Sequence, residues 1–378
     1  MKGEIRNYLI ASSILIGSCI GAGVLGIPYV ASKSGFLIAL FYIFFVGGII
    51  LLINLYLGEV ALRTNGTHQL SGYTEKYLGT KWRKLMEFAF IFGVYSAIVA
   101  YLIGMGESLS FLIFKTLDYS IYFGIFSGFV MMFLLWKGVQ GLKRFEKFGV
   151  IIVLALLMFI LILFTPLIYI ENLSSLNFQN IFLPFGVVLF ALLSFSAIPL
   201  VVHVLRKKKN LLKKVIITSS VVSIIFYSLF AFVVVGFKGG GTPEIATLAL
   251  GAIFIFLGLF TMFTSYLSIG NALEENFKFD DLMKKKKSWF LASVIPVAIY
   301  ILISFTNLFS FTKVLSIGGI ISGGLTAILI LFMAKSAKKK SDRKPEYSIP
   351  LNWIVIIFAI LVFGIGVVRE VLSIFGKA

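Results

Sequence analysis

The sequence predicts an all-helical integral membrane protein with eleven transmembrane helices. Three observations carry this. Of 378 residues, 59% are hydrophobic and only 13% charged, against roughly 45–50% and about 25% in soluble domains, and the mean hydropathy is +1.03. The apolar residues form continuous stretches of about 20 residues, the length a helix needs to cross hydrocarbon. The basic residues fall in short runs between those stretches. A membrane barrel fits poorly, since its strands alternate and need only about 10 residues.

The eleven stretches are 8–31, 36–62, 86–114, 120–136, 148–170, 181–205, 214–237, 248–273, 289–310, 313–334 and 350–375. The first begins at Tyr8. It outruns a signal-peptide core and a second follows almost at once, so it is expected to stay in the protein as a membrane helix.

Charge orients the spans. There are 34 Lys+Arg against 16 Asp+Glu, a net of +18. In a soluble chain that balance would point to nucleic acid. Here, with the N-terminus placed in the cytoplasm, the outer side keeps only Lys33, Lys115, Lys238, Lys313, Arg369 and Lys377, and the other 28 fall inside. Such a bias predicts a cytoplasmic N-terminus and an outer C-terminus, in a multi-pass protein of the plasma membrane. Trp82, Trp136, Trp289 and Trp353 all fall at predicted cytoplasmic boundaries, where indole rings are favoured. The runs 206–209 and 284–287 read as topology signals and contacts with anionic lipid; no nucleic-acid partner is expected.

The lone Cys19 excludes an internal disulfide and a cysteine metal cluster. His68 and His203 form no paired ligand motif. No converging set of acids and histidines stands at membrane depth, so no enzyme is expected. Repeated filter loops or charged rings, the marks of a channel, are not evident either.

The first span holds Gly17-Ser-Cys-Ile-Gly-Ala-Gly-Val-Leu-Gly26-Ile-Pro28. Within a helix, Gly costs about 1 kcal/mol relative to Ala, and Pro about 3. Two explanations compete. Gly17 and Gly21 could form a close-packing face. Alternatively the segment is unwound, which is tolerated at membrane depth only where backbone is buried or lines a wet cavity. Unwinding would expose carbonyls of one half-helix and amides of the next, a combination that suits a zwitterion plus a cation.

Span six holds a second irregular segment, Phe190-Ala-Leu-Leu-Ser-Phe-Ser-Ala-Ile-Pro199. Its proline removes a donor and disfavours helix just before it, and Ser194 and Ser196 add small polar groups. It comes five spans after the first, so five-helix repeats would run in opposite directions. Interrupted helices at matching places in inverted halves point to a secondary-transporter site, which favours the unwound reading.

The segment from Gly17 to Tyr29 closely resembles the first-helix signature of the amino acid/polyamine/organocation (APC) superfamily. It is nearest the amino acid/auxin permease branch, with the aromatic amino acid permeases close by. Leu57-Gly-Glu-Val-Ala-Leu-Arg63, Tyr101-Leu-Ile-Gly-Met-Gly-Glu-Ser-Leu109 and Phe195-Ser-Ala-Ile-Pro199 resemble its second, third and sixth helices. The resemblance implies the leucine-transporter-type fold in one transmembrane domain, 1–378. Two inverted five-helix repeats would be 8–170 and 181–334, with a peripheral helix at 350–375. It also implies an amino acid held between the broken helices. Backbone of Ser18, Cys19, Gly21, Ala22 and Gly23 would hold the carboxylate and part of the ammonium. Ser194, Phe195 and Ala197 would take the rest, with Ser196 beside them and Phe195 a candidate aromatic lid. Many relatives have glycine where this chain has Ser194.

The coupling ion is open between sodium and proton. In sodium-coupled members of this fold, carbonyls of the first break meet hydroxyls of the eighth helix. Here Gly17 and Ile20 would join Thr261, Thr264 and Ser265, which share one helix face and supply the oxygens a hard cation wants. Some proton-driven relatives carry a lysine on the fifth helix; span five has no ionisable residue before Glu171. Glu107 is the best protonatable group inside a span, and His203 near the inner end of span six could titrate. Glu59 and Arg63 are i,i+4 partners at a helix end, read as a structural or inner-gate pair.

Neither break carries a fixed charge. A desolvated charged side chain would want a partner charge, so neutral amino acids are the expected substrates, carried by a monomer in the bilayer with no cofactor beyond Na+ or H+. The alternatives are an amino-acid-sensing receptor on a transporter fold, or a permease for another small amine or zwitterion.

Overall fold

A computed structural model describes residues 2–21, 23–66, 68–137, 155–206, 208–279, 283–306 and 309–374. Helices dominate because continuous apolar runs leave a chain one way to satisfy its own amides in hydrocarbon, by hydrogen bonding within each segment. In order they are α1 (Lys2–Cys19), α2 (Gly23–Ser34), α3 (Phe36–Arg63), α4 (Leu70–Leu78), α5 (Thr80–Phe114), α6 (Ser120–Lys137), α7 (Ala155–Leu167), α8 (Leu183–Leu192) and α9 (Ile198–Val204). There follow α10 (Leu212–Lys238), α11 (Ala252–Phe279), α12 (Lys285–Thr306), α13 (Phe311–Lys339) and α14 (Trp353–Ile374).

Among the described residues nine segments are long and apolar enough to cross a membrane. The α1–α2 pair, bent by 52°, makes a tenth if it is one crossing, and α7 is a shorter apolar helix. Residues 148–154 of the expected fifth span lie outside the described residues. Large apolar side chains face outward on the apolar helices, among them Phe41, Phe44, Tyr122, Phe126, Ile162 and Ile354. A water-soluble monomer does not expose apolar surface on this scale. The chain is a multi-pass membrane protein.

The interrupted helices sit at the centre. α1 packs on α10, and α2 packs on α8, α3 and α10. The approach of α2 to α8 is close: a Cβ at Gly23 would stand 2.9 Å from the Ala191 Cα. On the other side, α13 crosses α8 so tightly that a Cβ at Gly319 would collide with the Gly186 carbonyl. Gly319 opens a π-helical turn, Gly319–Gly323, which the sequence reading does not foresee. Long helices α5, α6 and α11 pack together alongside.

In span six the interruption comes just before the proline. The helix stops at Leu192, Leu193 is extended, and a short 3-10 turn covers Phe195–Ala197. Pro199 comes after this, in the first turn of α9. A missing N–H costs nothing there, because first-turn amides have no intrahelical acceptor. The interruption is therefore centred on Leu193 and Ser194, and Pro199 starts the next helix.

Candidate functional site

The first interruption ends α1 at Cys19. Gly21 N donates to the Cys19 carbonyl at 2.8 Å, and Val24 N to the Gly21 carbonyl at 3.3 Å. The last carbonyls of a helix lack intrahelical donors, and α8 ends beside it with the same need. One side chain answers both. Tyr227, fully buried on α10, places its Oη 2.7 Å from the Cys19 carbonyl and 2.8 Å from the Ala191 carbonyl. A phenol has one proton to give, so the two carbonyls share it. Cys19 Sγ also faces the Leu192 carbonyl, at 3.8 Å.

The second interruption is held from α3. Asn54 Nδ2 donates to Ser194 Oγ at 3.0 Å, with both residues buried. Asn54 Oδ1 is buried without a partner, as is the nearby Ser223 Oγ apart from its contact with the Cys19 thiol. On the far flank of the first break, a Cβ at Gly21 would lie 3.4 Å from Tyr101 Oη and 3.8 Å from Ser265 Oγ. Four helices, α3, α5, α10 and α11, thus bring polar groups to the two breaks.

Of the predicted site residues, Cys19, Gly21, Gly23 and Ser194 come together here. Phe195 and Ala197 are buried in the adjoining turn. Ala22 lies outside the described residues. Ser196 is exposed, unlike its neighbours. Gly17 and Ser18 are exposed on the last turn of α1, and Ile20 is buried. Of the three expected cation-binding hydroxyls, Ser265 stands beside the break. Thr261 Oγ1 donates to the Leu257 carbonyl at 2.8 Å, and Thr264 Oγ1 is 3.0 Å from the Phe260 carbonyl. Both return to their own helix, a common habit of hydroxyls in helices. Among the described residues no group of three or more His, Cys, Asp or Glu could hold a metal ion.

The other ionisable candidates lie away from the breaks. Glu107 is half-buried on α5, within electrostatic reach of Glu244. Glu244 Oε2 accepts from both Thr312 N and Thr312 Oγ1 at 3.0 Å, fixing the α10–α11 connection to the start of α13. Lys33 Nζ donates to the Gly240 carbonyl at 3.1 Å in the same region. His203 is exposed on α9.

Glu59 is more than half of a pair. It is 1% exposed and accepts from Arg63 Nε at 2.9 Å, Lys338 Nζ at 2.7 Å, Ser348 Oγ at 2.8 Å and Ile349 N at 2.8 Å. The segment 341–350 is laced along the end of α3 by further bonds, from Tyr347 Oη to the Leu55 carbonyl and from Tyr56 Oη to the Pro350 carbonyl, both 2.8 Å. Lys76 and the Asn65 amide hold Asp342 in the same strap, and the Lys76 ammonium keeps its carboxyl below the ordinary value. Burial in this corner pushes the Tyr73 phenol up to about 12.

Sequence reasoning passed over Tyr227, Asn54 and Tyr101. For Asn54 a signal existed: it is the only amide in a long apolar run, and polar groups inside a span are functional by default. Tyr101 opens the segment that resembles the third helix of the family but carries no assigned role there, and Tyr227 is one of 15 tyrosines with nothing local to distinguish it.

Two interrupted membrane helices thus meet at a buried polar cluster. Residues 5–238, more than half of the chain, match the tryptophan/tyrosine permease family, and the chain belongs to that family. It is also similar to glutamine transporter 2 of Aliivibrio fischeri, 23% identical over 239 residues. The match covers 61% of this chain and 61% of that relative's length.

Proposed function

We propose that the protein is a secondary active permease for neutral amino acids, working by alternating access and coupled to a cation, with sodium ahead of proton. The observation that carries this is the convergence of both helix interruptions on Tyr227 and Asn54. Carbonyl ends of α1 and α8 suit an ammonium, and the amide end of α2 suits a carboxylate. Backbone of Ser18, Cys19, Gly21, Ala22 and Gly23 faces Ser194, Phe195 and Ala197 in this reading. No described side chain in the cluster carries a fixed charge, which supports a neutral substrate. Tryptophan, tyrosine and glutamine, the amino acids named for the family and the relative, are all neutral.

The eleven-span, leucine-transporter-type arrangement belongs to the same proposal, with inverted repeats at 8–170 and 181–334 and a peripheral helix at 350–375. Its support is the five-span spacing of the two interruptions. The place near the amino acid/auxin branch of the APC superfamily rests on the first-helix motif. Alternating access is supported by an asymmetry: the α10–α11 connection is pinned to α2 and α13 through Lys33 and Glu244, while Gly17 and Ser18 stay exposed. The sodium site would use the Gly17 and Ile20 carbonyls with Ser265 foremost among the hydroxyls. The monomer would sit in the plasma membrane with its N-terminus in the cytoplasm.

The test is uptake of labelled L-tryptophan, L-tyrosine and L-glutamine into proteoliposomes, with sodium and pH gradients imposed separately. The reading predicts uptake of at least one, driven by one of the gradients. Binding without any uptake would make the protein a sensor; neither binding nor uptake would end the amino acid reading.

A further inference from the structure

Three lysines at the inner end of α13 divide in two directions. Lys338 meets the buried Glu59. Lys335 and Lys339 instead line a niche of about 350 Å³, together with Leu78, Trp82 and Phe332. Among the described residues neither of these two lysines forms an ion pair. They stand one helical turn apart, where like charges repel, so an anion between them would be stabilised.

The rest of the niche is apolar and aromatic. Trp82, in the first turn of α5, tilts against the Phe332 ring with centroids 6.4 Å apart, and is 45% exposed. The Lys335 ammonium sits over the Trp353 ring at the start of α14. Exposed indole rings mark the level where helices leave the hydrocarbon. A free anion would use the lysines and leave the Trp82–Phe332 wall uncovered. An amphiphile with a phosphate head would use both.

We propose that this niche, between the inner ends of α5 and α13, binds an anionic phospholipid. Its phosphate lies on Lys335 and Lys339, and its glycerol and upper acyl region lie along Trp82 and Phe332. The site differs from diffuse attraction to the basic inner face, because it pairs two lysines with a shaped apolar wall.

Native mass spectrometry of the purified full chain tests it, with phosphatidylglycerol, phosphatidylcholine of the same chains, and inorganic phosphate as probes. Phosphatidylglycerol should bind more tightly than phosphatidylcholine. Lys335→Gln with Lys339→Gln should weaken it about thirtyfold. Lys285→Gln with Lys286→Gln, which removes the same charge from a run that does not line the niche, should change it less than about twofold, because such attraction falls off within a Debye length. Trp82→Ala should weaken the lipid, and Lys335→Arg with Lys339→Arg should retain it. Equal loss in both glutamine pairs, no preference over phosphatidylcholine, or an unchanged Trp82→Ala would each overturn the proposal. Displacement of the lipid by millimolar inorganic phosphate would overturn it too, making the niche a site for a free anion.

Discussion

Tyr227 reaches the Cys19 carbonyl at 2.7 Å while standing 2.8 Å from that of Ala191, so one hydroxyl joins the carbonyl ends of two interrupted helices. Tyr227→Phe keeps the ring and removes the joint. A buried carbonyl left unsatisfied costs about 1–3 kcal/mol of folding stability, and with its carbonyl ends no longer held in place the variant should also bind its amino acid more weakly. The loss should fall on the ammonium. Competition of indole-3-propionate, which lacks the amine, against labelled tryptophan reads this out: its disadvantage relative to tryptophan should shrink in the variant. An equal loss for both compounds would mean that Tyr227 serves packing alone.

Ser265 and Thr264 separate the residues of the proposed cation site. Ser265 stands beside Gly21, whereas Thr264 is bonded to its own helix. Ser265→Ala should raise the sodium concentration for half-maximal uptake several-fold, and Thr264→Ala should change it little. The reverse order, measured in sodium titrations of uptake, would move the site along α11.

Glu59 should be the costliest single charge at its end of the helices. It is buried among Arg63, Lys338, Ser348 and the Ile349 amide. Removing one partner of a buried charge network costs about 3–5 kcal/mol. Glu59→Gln should therefore lower the melting temperature in detergent far more than Arg63→Gln, because Lys338 still faces the carboxylate when Arg63 is gone. Equal shifts would contradict a shared hub.

Asp342 gives the strap a pH dependence. Its carboxyl is held below the ordinary carboxylate value by Lys76 and the Asn65 amide. A depressed value means the folded state favours the ionised form. The contribution is therefore complete above the ordinary carboxylate range and disappears as pH falls through the lowered value. Amide exchange in 341–350, corrected for intrinsic rates, should be slow near neutrality and rise only at strongly acidic pH. Asp342→Asn should show the loose behaviour at every pH.

The membrane class and the place of both interruptions were legible because each has a local cause. Long apolar runs, glycine density at 17–26 and the run before Pro199 are properties of neighbouring residues. The residues that hold the interruptions were harder to read, since they are tertiary. Tyr227 is a tyrosine in an apolar helix until α1 and α8 end against it. Asn54 gains meaning only when Ser194 arrives from a segment 140 positions away. Nothing in the sequence marks 341–350 as a strap, since several of its bonds run to backbone carbonyls of α3 that no side-chain pattern announces. Pro199 marks the interruption just before it as expected, and itself lies in the first turn of the next helix.

The most direct test of the central claim is amino acid binding to Gly21→Leu beside the wild type. A Cβ there already meets Tyr101 Oη at 3.4 Å, so a leucine side chain would fill the space between the first break, Tyr101 and Ser265. With whichever of tryptophan, tyrosine or glutamine the wild type binds, calorimetric titration of the folded variant should show no binding. Wild-type affinity in Gly21→Leu would contradict the account and make the glycines of the first helix a packing face.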